Sequence, residues 1–416
     1  MDISNPVIIL DDTVKDLELF KSKNEFKICK PEIFKYGIMV EEVPGHIKEA
    51  DFDYLQSKLP AYFQLYSDFI KVESERICNL SKDDRKKKLI SEIVGVSFGI
   101  KYTVELLNTS PNKFKKIGVP IKGKYLDYSV IDGNKEYELE TKGTVGNSYA
   151  PFKNDILAKK SSQSNKKVFL RFGTIAMINN SNDSKKTKCV IVDDPPNEDN
   201  LINDNDTFET QLFNYGVFLS YILDSKYYNK YIKPLRNRQL RRVRINQKKF
   251  FTTYTFEGKE FYGECFDYRL IRGELDTFKY SDNIDNLLEA KTEQYGKNKF
   301  FIGLHLDVIK AINKKNINYL KKYKSEWTYQ EKENLLKFLD IDGILIVKSV
   351  DGADEQLEHK FPEEEVAKRL KYSYNQQLGL THLCGAPCRS REIKGKPCEI
   401  KTFREFCHFD TIPRSV

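Results

Sequence analysis

The segment DYSVIDGNKEYELETK, residues 127–142, places Asp127, Glu138, Glu140 and Lys142 on two strand-like runs joined by a tight-turn sequence, Asp132-Gly133-Asn134-Lys135. With Gly133 and Asn134 central, Asp132 pairs with Lys135 and Asp127 faces Glu140; with Asp132 and Gly133 central, Asp127 faces Glu138. Either register leaves Asp127, Glu138, Glu140 and Lys142 on one face, because side chains alternate with a period of two. Carboxylates opposed across a hairpin repel. A divalent cation resolves that conflict, since Mg²⁺ takes one or two carboxylates and keeps several waters. Lys142, two residues beyond Glu140, is then placed to touch a phosphate or an attacking water.

This pattern resembles the PD-(D/E)xK nuclease superfamily. Asp127 matches the first acid and Glu140-Thr141-Lys142 the (D/E)-x-K; Leu126 stands where the motif has proline. Glu92, in LISEIVG, matches the glutamate that many members carry on the preceding helix. The resemblance covers about residues 86–180 and implies a helix, strand, strand, strand, helix, strand core. It implies Mg²⁺- or Mn²⁺-dependent phosphodiester hydrolysis, with Asp127, Glu140 and Glu92 holding the metal and Lys142 completing the catalytic set. DNA is favoured over RNA as substrate, a bacterial restriction or anti-phage defence role fits, and a homo-oligomer or a defence-system partner protein is compatible with it. The alternative is a non-catalytic nucleic-acid-binding protein that uses the basic and cysteine-rich segments described next.

Residues 233–249, KPLRNRQLRRVRINQKK, hold eight basic residues and no acid. Arg236, Arg238, Arg241, Arg242 and Arg244 suit a phosphate backbone, and Lys159 and Lys160 add charge on the helix after the hairpin. The C-terminal tail reads Cys384-x3-Cys388-x9-Cys398-x8-Cys407, followed by His408. Four thiolates close a tetrahedral structural Zn²⁺ site, with His382 or His408 able to replace one of them. The tail resembles small zinc knuckles, and metal binding would supply the folding energy that so short and polar a segment lacks. Cys29, Cys78, Cys189 and Cys265 are scattered singly and read as core residues. Asp340-Ile341-Asp342-Gly343, beside the apolar ILIVKSV, reads as a strand-end turn.

The elements that must position these groups are legible in outline. Leu89, Ile93, Val96, Ile100, Val104 and Leu107 follow helical spacing, with Gly95 and Gly99 on a face suited to lying close to a sheet. Strands are predicted over 113–121, 124–131, 135–142 and 166–178, and a basic helix over 151–163. Residues 193–206 contain six acids and two prolines and read as a linker or long loop. The expected organisation is an N-terminal region, 1–192, with the nuclease-like core at about 86–180; a second α/β module, 207–380, for substrate or partner recognition; and a zinc-binding tail, 381–416. The fold class is α/β (α+β), a restriction-endonuclease-like mixed sheet flanked by helices plus the second module and the tail.

Composition sets the outer bounds. The chain has 416 residues, 69 Lys and Arg against 61 Asp and Glu, and a net charge of +8, which permits a polyanionic partner. No apolar stretch approaches the ~18–20 residues of a membrane helix, so no membrane partner is expected. The start, MDISNPVIILDD, lacks a basic n-region, and a cytoplasmic location is the expectation. No Gly-rich nucleotide loop, serine nucleophile elbow or HExxH helix is present. The cysteine cluster yields a direct test. Elemental analysis of chain purified without added metal should find about one zinc per chain, lost when Cys384 and Cys398 are both replaced. A zinc-free preparation whose tail is equally protected from protease would refute this.

Overall fold

The computed structural model describes residues 3–40, 59–117, 125–193, 205–267 and 298–350 apart from short gaps, with Ala353, Leu357 and the paired segments His382–Leu383 and Lys401–Thr402. The chain is a mixed α+β protein built on two large sheets. Its principal elements run β1 (Val7–Leu10), α1 (Lys30–Phe34), β2 (Ile70–Glu73), β3 (Arg76–Asn79), α2 (Asp84–Leu106), β4 (Lys115–Lys116), β5 (Tyr128–Asp132), β6 (Lys135–Val145), α3 (Ala150–Ser162), β7 (Leu170–Asn180), β8 (Lys188–Asp193) and α4 (Asn205–Ile222). They continue through β9 (Thr252–Phe256), β10 (Lys259–Asp267), β11 (Lys299–His305), α5 (Leu306–Lys314), β12 (Thr328–Lys332), β13 (Leu335–Leu339) and β14 (Ile344–Ser349).

The first sheet has the order β1-β8-β7-β6-β5-β4, with β3 joining β7 and β2 joining β3. Strands β6 and β7 are parallel, and β4, β5 and β6 are antiparallel neighbours. The second sheet, β9-β10-β11-β14-β13-β12, is antiparallel throughout. The segment predicted as strand over 113–121 pairs only at Lys115–Lys116, and 118–124 lie outside the described residues. Most of the acidic stretch, 194–204, also lies outside them.

Helix α2 begins five residues before its periodic apolar positions, because Asp83 caps it: the carboxylate accepts from the Lys86 N–H at 2.9 Å. The helix is buried along most of its length and lies directly on β6. A Cβ on Gly143 would stand 1.7 Å from the Ser91 carbonyl oxygen, and one on Gly95 would stand 2.5 Å from the Lys142 carbonyl carbon. Only glycine at both positions permits this approach. Leu139 and Thr141 face α2, so alternation turns Glu138, Glu140 and Lys142 to the other face of the sheet. Helix α3 covers that face, its Ile156 fitting where Gly173 of β7 has no side chain.

One hydrophobic cluster runs from Phe26, Phe34 and Phe98 to Phe300, Ile302 and Phe338, so the two sheets share a core. Phe63 stacks on Phe300 with ring centroids 4.0 Å apart. Cys29, Cys78, Cys189 and Cys265 are buried, as their isolated spacing predicts. No described helix is long and apolar enough to cross a membrane.

A buried ionic cluster pins the second sheet to the first. Lys35 donates to Asp340 and to both oxygens of Asp342, each at 2.6 Å, and Tyr36 donates to Asp340 at 2.7 Å. Glu32 accepts from Lys101 at 2.6 Å, from the Trp327 ring nitrogen at 2.8 Å and from the Cys29 N–H at 2.9 Å. Asp340 and Asp342 do form the expected strand-end turn, with Gly343 at φ +83°, but both are buried anchors. Burial pushes Asp342 up to about 6 against the pull of Lys35. Burial opposes the charge on Lys35 too, yet the two aspartates outweigh it and hold the lysine above its ordinary range. Lys35→Met would strand two carboxylates and should cost about 3–5 kcal/mol. The loss, read from denaturation midpoints, should shrink as pH falls to about 6 and below, because without Lys35 the stranded Asp342 takes up its proton above the value of about 6 that it has beside the lysine. An unchanged midpoint at pH 7 would contradict this.

Candidate active site

The hairpin adopts the first of the two registers open to it. Asp132 pairs with Lys135, Ile131 with Glu136 and Tyr128 with Leu139, which carries Asp127 opposite Glu140. Asp127 lies just before β5, and its N–H donates to the Leu139 carbonyl at 3.0 Å. Its Oδ2 accepts from the Thr141 N–H and from the Thr141 hydroxyl, each at 2.9 Å. Thr141, the middle residue of the Glu-x-Lys triplet, thus fixes the aspartate, a role that spacing alone does not signal.

Glu140 is fully buried, in the middle of the sheet. Its Oε1 takes Lys142 at 2.7 Å and also Lys159 from α3. Its Oε2 has no hydrogen-bond partner among the described residues. Burial, then the charge of Asp127, pushes Glu140 up to about 7 against the pull of Lys142 and Lys159. Lys142 also reaches Asp155 of α3 at 3.2 Å. Burial opposes its charge, but Glu140 and then Asp127 and Asp155 hold its pKa above the usual lysine range.

Asp127, Thr141, Lys142 and Asp155 line an open cleft of 1020 Å³ together with Lys88 and Glu92, and Glu140 lies buried behind that wall. Glu92 shares the cleft wall but stays exposed, 3.9 Å from Lys88. Among the described residues no three His, Cys, Asp or Glu side chains converge. Asp127 and Glu140 are opposed across the hairpin, while Glu92 stands on the α2 wall of the cleft beside Lys88. The pair suits a hard, hydrated cation, which needs only one or two carboxylates. The orphaned Oε2 of a buried carboxylate is the observation that carries this fit, since an unpartnered buried oxygen is costly.

Other predicted residues fall elsewhere. Lys159 binds Glu140, and Lys160 is buried rather than presented to solvent for a phosphate. Arg241, Arg242 and Arg244 are exposed, interleaved with the buried Leu240, Val243 and Ile245 that anchor the segment. Arg238, the Arg236 side chain, Cys384, Cys388, Cys398, Cys407 and His408 lie outside the described residues, as does the side chain of His382. The contribution of α3 to the site is missing from the sequence reading; its only trace is the four-residue spacing of Asp155 and Lys159.

No family model, curated protein or solved structure matches the chain.

The burial of Glu140 has a signed consequence for stability. Its folded pKa of about 7 lies above the ordinary 4.5, so between these values the folded chain holds more protons than the unfolded one. Stability should fall as pH rises through that window, by about 3 kcal/mol at 1.36 kcal/mol per pKa unit. In metal-free buffer Glu140→Gln should remove that fall, seen as a flatter curve of denaturation midpoint between pH 4.5 and 8. Parallel curves for the two proteins would refute it.

Proposed function

We propose that the chain is a divalent-metal-dependent nuclease of the PD-(D/E)xK type, cleaving phosphodiester bonds in nucleic acid, DNA in preference to RNA. The observation that carries the reading is Glu140: a fully buried carboxylate opposite Asp127, with one oxygen unpartnered and the lysine of the triplet 2.7 Å from the other. A sheet built only for stability gains nothing from that arrangement. The order α2, β4, β5, β6, α3, β7 matches the core order of the restriction-endonuclease-like fold and supports the same reading.

In this reading Asp127 and Glu140 hold the cation, Mg²⁺ or Mn²⁺. Bound there, it supplies polarisation of the phosphoryl oxygen and stabilisation of the leaving oxygen. Thr141 fixes Asp127 through two hydrogen bonds, so that carboxylate is oriented before substrate arrives. Lys142 orients the attacking water and offsets charge developing on the phosphate. Glu92, across the cleft, is the third carboxylate available when substrate phosphates draw Lys88 away. The exposed Arg241, Arg242 and Arg244 and the cysteine-rich tail serve substrate recognition, and a restriction or anti-phage defence role follows from the resemblance.

The test uses plasmid, linear, single-stranded and RNA substrates with Mg²⁺, Mn²⁺ or EDTA. Lys142→Met, which keeps the packing of the stem, should lower cleavage about 10²–10³-fold while melting like wild type. Asp127→Asn keeps an acceptor for Thr141 and should abolish cleavage together with the Mg²⁺-induced rise in melting temperature. Wild-type cleavage by folded Asp127→Asn and Lys142→Met chains would overturn the proposal. Metal-independent binding without cleavage of any substrate would leave a non-catalytic nucleic-acid-binding protein.

A further inference from the structure

Lys142 has two carboxylate partners on different elements. Its ammonium lies 2.7 Å from Glu140 on its own strand and 3.2 Å from Asp155 on α3. The two partners differ in kind. Glu140 is fully buried, and its Oε1 is already shared with Lys159. Asp155 is about two-fifths exposed and lines the same cleft as Asp127 and Lys142. Helix α3 presents Asp155 and Lys159 one turn apart on the face that covers β6 and β7, where Gly173 lets Ile156 approach closely.

A cation on Asp127 and Glu140 would face a protonated Lys142 held against the same carboxylate. At such separations two positive charges repel strongly in a poorly solvated site. The lysine must therefore lean away from Glu140 while staying at the mouth of the cleft. We infer that Asp155 is the positioning residue that receives Lys142 when a divalent cation takes Glu140, so that metal binding and placement of the lysine become one event. This rests on the reading of Asp127 and Glu140 as a metal pair. Asp155 is suited to the task because its contact with Lys142 already exists and its solvent exposure leaves the carboxylate room to follow the ammonium.

Asp155 thus acts through Lys142 rather than as a ligand, and that separates it from a general acidic neighbour. The experiment titrates full-length chain with Mn²⁺ alone and reads affinity by calorimetry, with no substrate present. Asp155→Asn should weaken Mn²⁺ binding about tenfold, the low end of what outer-shell changes cost. Asp155→Glu should restore it to near the wild-type value. In a Lys142→Met background Asp155→Asn should change affinity less than about twofold, since the ammonium it restrains is gone. Thermal melts of each variant confirm folding, which substitution of this half-exposed residue should leave intact. A tenfold loss that persists in the Lys142→Met background would overturn the inference, making Asp155 a ligand or a simple source of field. So would unchanged affinity in Asp155→Asn. In both cases a Glu140→Gln chain that binds Mn²⁺ more weakly than wild type leaves the metal pair standing, whereas Mn²⁺ binding indifferent to Glu140→Gln overturns the pair and this inference together.

Discussion

The carboxylate of Glu140 is the charge around which the first sheet is organised. It sits on a central strand, fully removed from water, with the like charge of Asp127 across the hairpin. A lone carboxylate in such a place would shed its charge or unfold its surroundings. Two lysines on one of its oxygens stabilise the ionised form, yet burial and Asp127 still leave it near neutrality in titration. The surrounding structure has to tolerate this unrelieved charge, and the elements beside it are shaped to do so. Lys142 comes from the same strand and Lys159 from the covering helix, so compensation is delivered from two directions.

That delivery depends on how closely the helices approach the sheet. On one face, Gly95 and Gly143 let α2 lie almost on the backbone of β6, and the capped first turns of α2 then flank the end of that strand. On the other, Gly173 lets α3 settle over β7, close enough for Asp155 and Lys159 to reach side chains of β6. A larger residue at any of these positions would push a helix away and open the cluster to water. The cleft lies at one end of the sheet, where the first turns of α2, the end of β6 and the start of α3 line it together.

Much of this was legible in the residues themselves. The turn within Asp132–Lys135, the shared face of Asp127, Glu138, Glu140 and Lys142, the helix bearing Glu92 and the glycine face of that helix all follow from local pattern, because period and turn chemistry act over short distances, whereas the register that puts Glu140 rather than Glu138 opposite Asp127 is fixed only in the structure. Fold class follows from the same patterns. Three things did not follow. Lys159 and Asp155 join the site only through the packing of α3, and nothing in a basic amphipathic run says which lysine turns inward. Thr141 gains its role from the place where Asp127 leaves the regular ladder. Lys35 lies about three hundred residues before Asp340 and Asp342, and a pairing at that distance leaves no local signature.

The two buried ionic clusters separate scaffold from site on a physical criterion. Around Lys35 and Glu32 every carboxylate oxygen has a donor: Asp340 takes Lys35, Tyr36 and the Ile341 N–H, Asp342 takes Lys35 and the Ile344 N–H, and Glu32 takes Lys101, Trp327 and the Cys29 N–H. Such a network locks two sheets together and leaves none of these oxygens without a donor. At Glu140 the donors crowd onto one oxygen and leave the other bare, while its neighbours Thr141 and Lys142 line the open cleft. Satisfying Oε2 would have taken one hydroxyl or amide, and Thr141 next door spends both of its donors on Asp127 instead. The imbalance costs stability in the metal-free chain, and a cation shared with Asp127 is the partner that would remove it.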